Sequence, residues 1–84
     1  MHEKLLQLAD ALRNDRRQVN GSFDFVACVN EHAKRLYGQD FPAPEHFAAF
    51  FEIAPWDADV LWLYDWQSPQ AVAEKLQAMT KPPV

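Results

Sequence analysis

The feature that most constrains this chain is its punctuation. Gly38, Pro44, Pro55 and the Ser68-Pro69 pair cut it into short pieces. Serine satisfies free backbone N–H groups at a helix start, and proline suits the first helical position. Glycine is the usual left-handed residue just past a helix end. Isolated helices shorter than about 12–15 residues are marginal in water, so each piece must bury an apolar face against the others. The expectation is an all-α fold, a single small helical domain of four to five short helices around one core. It spans residues 1–84, with 81–84 as a C-terminal tail.

Apolar spacing between the breaks supports this. Leu5, Leu8, Ala9 and Leu12 predict an amphipathic helix from about His2 to Asn14, with room to continue to Arg17. Asn20-Gly21-Ser22 reads as a turn. From Asp24 to Tyr37, one stripe holds Val26, Val29, Ala33, Leu36 and Tyr37, and an adjoining one holds Phe25, Cys28 and His32. Ser22 or Asp24 can cap this helix and Gly38 can end it. The run Phe25–Val29 alone also fits a short strand, but continuation of the pattern to Tyr37 favours helix. Phe41-Pro42-Ala43-Pro44 is a loop. A short helix presenting Phe47, Phe50 and Phe51 follows, then one starting near Pro55, then one from Ser68-Pro69 with Val72, Ala73, Leu76 and Met79 on its apolar stripe.

Size and charge exclude several classes. A chain of 84 residues buries only about 60–65% of its unfolded surface and cannot form a TIM barrel or a full Rossmann domain. Two glycines leave little for a phosphate loop, and one cysteine rules out an intramolecular disulfide or a four-cysteine zinc site. The net charge is −4, and it is uneven. Residues 1–38 carry six Lys and Arg against five acids, and residues 39–84 carry two against seven. The balance argues against nucleic acid as a partner. No apolar run approaches the roughly 20 residues of a membrane span. Glu3 and Lys4 among the first leucines do not suit a signal peptide, so a cytoplasmic location is expected.

Phe23-Asp24-Phe25, Ala27-Cys28-Val29-Asn30-Glu31-His32-Ala33, Phe50-Phe51-Glu52-Ile53, Leu61-Trp62-Leu63-Tyr64 and Ala71-Val72 follow one another along the chain. In that order they resemble a group of small bacterial and phage proteins of uncharacterised function. The group's second helix reads Cys-Gly-Thr-x-x-Cys-x-x-Gly-His-Ala. Here the first cysteine and the Gly-Thr are absent, and Glu31 stands where the glycine would be. The resemblance implies a helical fold and no particular activity.

Cys28 and His32 lie four apart on one helical face, with Glu31 and His46 able to approach. Sulfur and nitrogen at this spacing can ligate zinc or pair as nucleophile and base. A buried cysteine beside a hydrogen-bonded histidine is the simpler reading, and no third catalytic group is evident. Asp57-x-Asp59, with Glu52 or Asp65, could hold magnesium; acids that favour the positive end of a helix are the simpler reading. No catalytic residue, metal ligand or cofactor is therefore assigned. Arg13, Arg16 and Arg17, at i, i+3 and i+4, would form a cationic patch on a continued first helix, suited to phosphate or an acidic partner.

The stretch Glu52–Gln67 is the most distinctive. It sets Trp56, Trp62, Tyr64 and Trp66 among Asp57, Asp59 and Asp65. A small core cannot hold every large ring, and tryptophan and tyrosine dominate interface energetics. The function expected is a small acidic protein-interaction module and not an enzyme, such as an inhibitor or accessory factor of a phage or other mobile element. Its contact surface would be those seven residues, with Arg13, Arg16 and Arg17 second. A homodimer through the same aromatics is a variant. The alternatives are a small helical nucleic-acid-binding regulator and, behind it, a Cys/His metal-binding protein.

Overall fold

The computed structural model of the chain describes residues 3–17, 24–64 and 66–80. Among these there are five helices and no strand: α1 (Glu3–Arg13), α2 (Phe25–Tyr37), α3 (Pro44–Phe51), α4 (Pro55–Leu63) and α5 (Pro69–Met79). The expected turn at Asn20-Gly21-Ser22 and the tail at 81–84 lie outside the described residues.

Cap chemistry sets most of the boundaries. Asp24 sits in extended conformation before α2 and accepts a hydrogen bond from the Ala27 N–H at 3.0 Å. Gly38 closes α2 at φ 69°, with its N–H donating to the Lys34 carbonyl. Ser68 Oγ accepts from the Ala71 N–H at 3.2 Å, and Pro69 begins α5. α3 and α4 have no side-chain cap and start on proline. α3 ends on Glu52 at φ 56°, a left-handed conformation that costs a residue with a Cβ about 1–2 kcal/mol.

Two helix ends shape the site. α1 does not continue to Arg17. It stops at Arg13, and Gln70 Nε2 on α5 takes up the carbonyls of Arg13 and Asp15. α4 stops at Leu63, and Tyr64 turns to extended backbone. This brings Trp66 back into the core, where its Nε1–H donates to the Leu61 carbonyl at 2.8 Å.

α1 packs most extensively on α5, and α3 on α4, while α2 joins the two pairs. α1 buries Leu5, Leu8, Ala9 and Leu12, and α5 answers with Val72, Ala73 and Leu76. α2 buries Phe25, Cys28, Val29, His32 and Ala33, so the two expected stripes form one broad face. Asn30 fixes the following loop, with its side-chain carbonyl accepting from the Phe41 N–H and its amide donating to the Phe41 carbonyl. Phe41 is thereby held among Phe47, Phe50 and Phe51, with ring centroids 5.3–5.5 Å apart. Phe25 meets Trp62 edge-on at 5.1 Å and Trp66 at 6.3 Å. No described helix is long and apolar enough to cross a membrane.

Candidate functional site

Two features stand apart from ordinary core packing: a polar cluster where the segment after α1 meets α2, and the outer face of α4.

In the cluster, the end of α1 lets Asp15 turn inward onto α2. Its side chain is 8% exposed, yet it collects donors from several directions. Arg17 donates its backbone N–H at 2.9 Å and clamps the carboxylate through Nε and Nη2. His32 Nε2 lies 2.7 Å from Oδ2, and the Cys28 thiol reaches the same oxygen at 3.8 Å. On the other side of the imidazole, Arg35 Nη2 is 2.8 Å from Nδ1. A guanidinium can only donate, so Nδ1 is the acceptor and the proton sits on Nε2, where Asp15 receives it. Arg17 also bonds Glu31 at 3.1 Å.

These contacts fix the charge states. Burial works to raise the Asp15 carboxyl, but the hydrogen bonds from Arg17 and His32 together outweigh it and hold the group well below the usual carboxylate range. The bond to Asp15 pushes the Arg17 guanidinium up from its ordinary value, against the effect of burial. Burial pushes the Cys28 thiol up to about 12, and the charges of Asp15 and Glu31 add to this while Arg17 opposes it.

Donor atoms of Asp15, Cys28 and His32 lie within 4.8 Å of one another. They converge as metal ligands would, but two of the three carry protons. A metal needs the thiolate and the free lone pair on Nε2, whereas Arg35 directs that lone pair to Nδ1. A nucleophile also needs the thiolate, and Cys28 is fully buried beside a carboxylate. As built, the cluster is a hydrogen-bonded latch between the 14–17 segment and α2. Glu31 enters it through Arg17. His46 is exposed on α3 and has no place in it.

The arginine patch is dispersed because α1 ends early. Arg13 bonds Gln77 of α5, Arg17 belongs to the latch, and Arg16 is exposed with no partner among the described residues. Asp57, Asp59 and Glu52 form no ligand cluster among the described residues, and Asp65 lies outside them. A half-open cleft of about 330 Å³ between α1 and α3, walled by Lys4, Phe50 and Glu52, holds neither histidine nor cysteine.

α4 carries apolar residues on both its inner and its outer face. Its inner face buries Ala58 and Leu61 and packs Trp62 against Phe25 and Phe47. Its outer face repeats at i, i+3, i+4 and i+7 with Trp56, Asp59, Val60 and Leu63. Trp56 is 70% exposed, Val60 41% and Leu63 85%, and Tyr64 beyond them is 63% exposed. The expected seven-residue surface therefore divides. Trp56, Asp59 and Tyr64 are exposed, Asp57 and Trp62 are half-buried, Trp66 is in the core, and Asp65 lies outside the described residues.

Sequence reasoning passed over Asp15 and Gln70, whose partners His32, Arg13 and Asp15 are remote in sequence, and Arg35, which meets His32 one turn back on the same helix. It also left Val60 and Leu63 out of the expected contact surface. The signal for the latter was present, since a nine-residue helix with apolar residues on every side must expose some of them unless it is enclosed. Comparison of the chain with protein-family models, curated proteins and solved structures found no match.

Proposed function

We propose that this chain is a non-catalytic protein-interaction module whose contact surface is the outer face of α4, with Trp56 and Leu63 as its anchors. One observation carries this reading: Trp56, Val60 and Leu63 are exposed along the outer face of one helix, and Tyr64 is exposed just past its end. Scattered apolar residues on a surface are normal, but a contiguous set is a mark of an interaction site. Trp and Tyr are also the side chains that most often dominate binding energy. The latch around Asp15 supports the reading from the other side, since it keeps its thiol protonated and its imidazole engaged between Asp15 and Arg35. The mode of action that fits is that of an inhibitor or accessory factor, which changes a partner by occupying it and needs no cofactor. The single unpaired cysteine supports a reducing compartment such as the cytoplasm. The dispersal of Arg13, Arg16 and Arg17 gives no support to the nucleic-acid alternative.

The test is affinity capture from nuclease-treated lysate of the native host, comparing the wild-type chain with a Trp56→Ala, Leu63→Ser double variant. Both positions are exposed, so the variant is expected to fold. A partner held by the wild type and lost by the folded variant is the expected result. A partner held equally by both would overturn the assignment of α4.

A further inference from the structure

Resting on the reading of α4 as the contact surface, we infer that this surface takes a cationic amphipathic protein segment and not a second copy of the chain. From Leu36 to Glu74 there is no lysine or arginine, and seven acids lie in that interval. α3 and α4, which pack together, both fall within it. α3 and α4 therefore contribute carboxylates, with Glu45, Asp57 and Asp59 on the helices themselves, and no basic side chain, and Lys4 of α1 lies over Phe50 on α3.

Asp59 makes the point locally. It lies within the stripe, one turn after Trp56 and one turn before Leu63, and it is exposed. A two-fold dimer places the same patch against itself. Such a dimer would bury two Asp59 carboxylates in its interface with no cation from α3 or α4 to pair with them, and unpaired buried charge is strongly unfavourable. A partner with apolar side chains flanked by Lys or Arg meets both demands. Its apolar groups cover Trp56, Val60 and Leu63, and its cations neutralise Asp59 and the surrounding acids. Complementary charge of this kind speeds association and rejects wrong partners.

The experiment titrates the full chain with three synthetic helical peptides: an amphipathic Leu/Lys peptide, its Leu/Glu counterpart, and a Ser/Lys peptide with charge but no apolar face. Binding is read by the fluorescence of Trp56, the most exposed tryptophan, and by amide shifts along α4. The Leu/Lys peptide is expected to saturate, to shift α4 residues, and to lose at least about tenfold in affinity with Leu63→Ser. High salt or Asp59→Asn should weaken it, and the other two peptides should bind far more weakly. Sedimentation should show a monomer at low and high salt. Equal binding of the Leu/Glu or Ser/Lys peptide, or shifts located away from α4, would overturn the inference. Self-association abolished by Leu63→Ser would also overturn it while leaving α4 as a contact surface. No effect of Leu63→Ser on lysate capture would instead remove the functional reading beneath it.

Discussion

Asp15 carries the strongest single-residue dependence outside the apolar core. Breaking a buried ion pair costs about 3–5 kcal/mol, and this one is discounted because the Arg17 side chain is 33% exposed. Asp15→Asn is therefore expected to cost about 2–3 kcal/mol at neutral pH. Its carboxyl lies below the ordinary 3.8 in the folded chain, so its contribution is complete above that value and is lost as pH falls below about 4. Urea denaturation across the acid range should show a shallower pH dependence in Asp15→Asn; parallel curves for variant and wild type would refute this. Cys28 acts at the other limb. Its folded-state value rises from 9.0 to about 12, so folding favours the protonated thiol and stability declines as pH climbs through that interval. Cys28→Ala should flatten the alkaline decline, and the wild-type thiol should react with a disulfide reagent only on unfolding.

Among the elements, α3 and α4 depart from local preference. Glu52 occupies a left-handed conformation at the end of α3, where glycine is favoured. Relief of about 1–2 kcal/mol of backbone cost is partly offset by the greater freedom of glycine in the unfolded chain. Glu52→Gly is expected to stabilise by about 0.5–1 kcal/mol, seen as a higher urea midpoint at unchanged slope; destabilisation would show that the Glu52 side chain has a packing role. A helix continued past Leu63 would place Trp66 on the same face as Trp56, Asp59 and Leu63. The helix ends before Trp66 because burying that indole with its N–H on the Leu61 carbonyl outweighs one more helical turn. Trp62 contrasts with it, since its buried Nε1 finds no acceptor among the described residues.

For the whole molecule, the consequence is a helix with one apolar face in the core and another in solvent. Trp66→Ala should cost about 3–5 kcal/mol by opening a cavity, whereas Leu63→Ser should stay within about 0.5 kcal/mol of wild type. Equilibrium denaturation of both variants checks this. A core-sized loss in Leu63→Ser would mean that the outer face is covered within the chain, which would remove the case for a contact surface. α3 and α4 contain acids and no lysine or arginine of their own, and Lys4 of α1 reaches over Phe50 on α3.

Caps at Asp24, Gly38, Ser68 and the prolines at 44, 55 and 69 act within a few residues of chain, and for that reason the sequence alone determined the helical class, the number of helices to within one and most of their starts. The apolar stripes of α1, α2 and α5 were equally local, because a 3.6-residue period is a property of consecutive positions. Only the tertiary structure decided which aromatics are inside. Eleven rings compete for one small core, and the winners depend on how α3 and α4 fold over α2. It alone also joined Asp15 to His32, seventeen residues away. That contact arises from packing two segments together, and nothing in the local sequence of either encodes it.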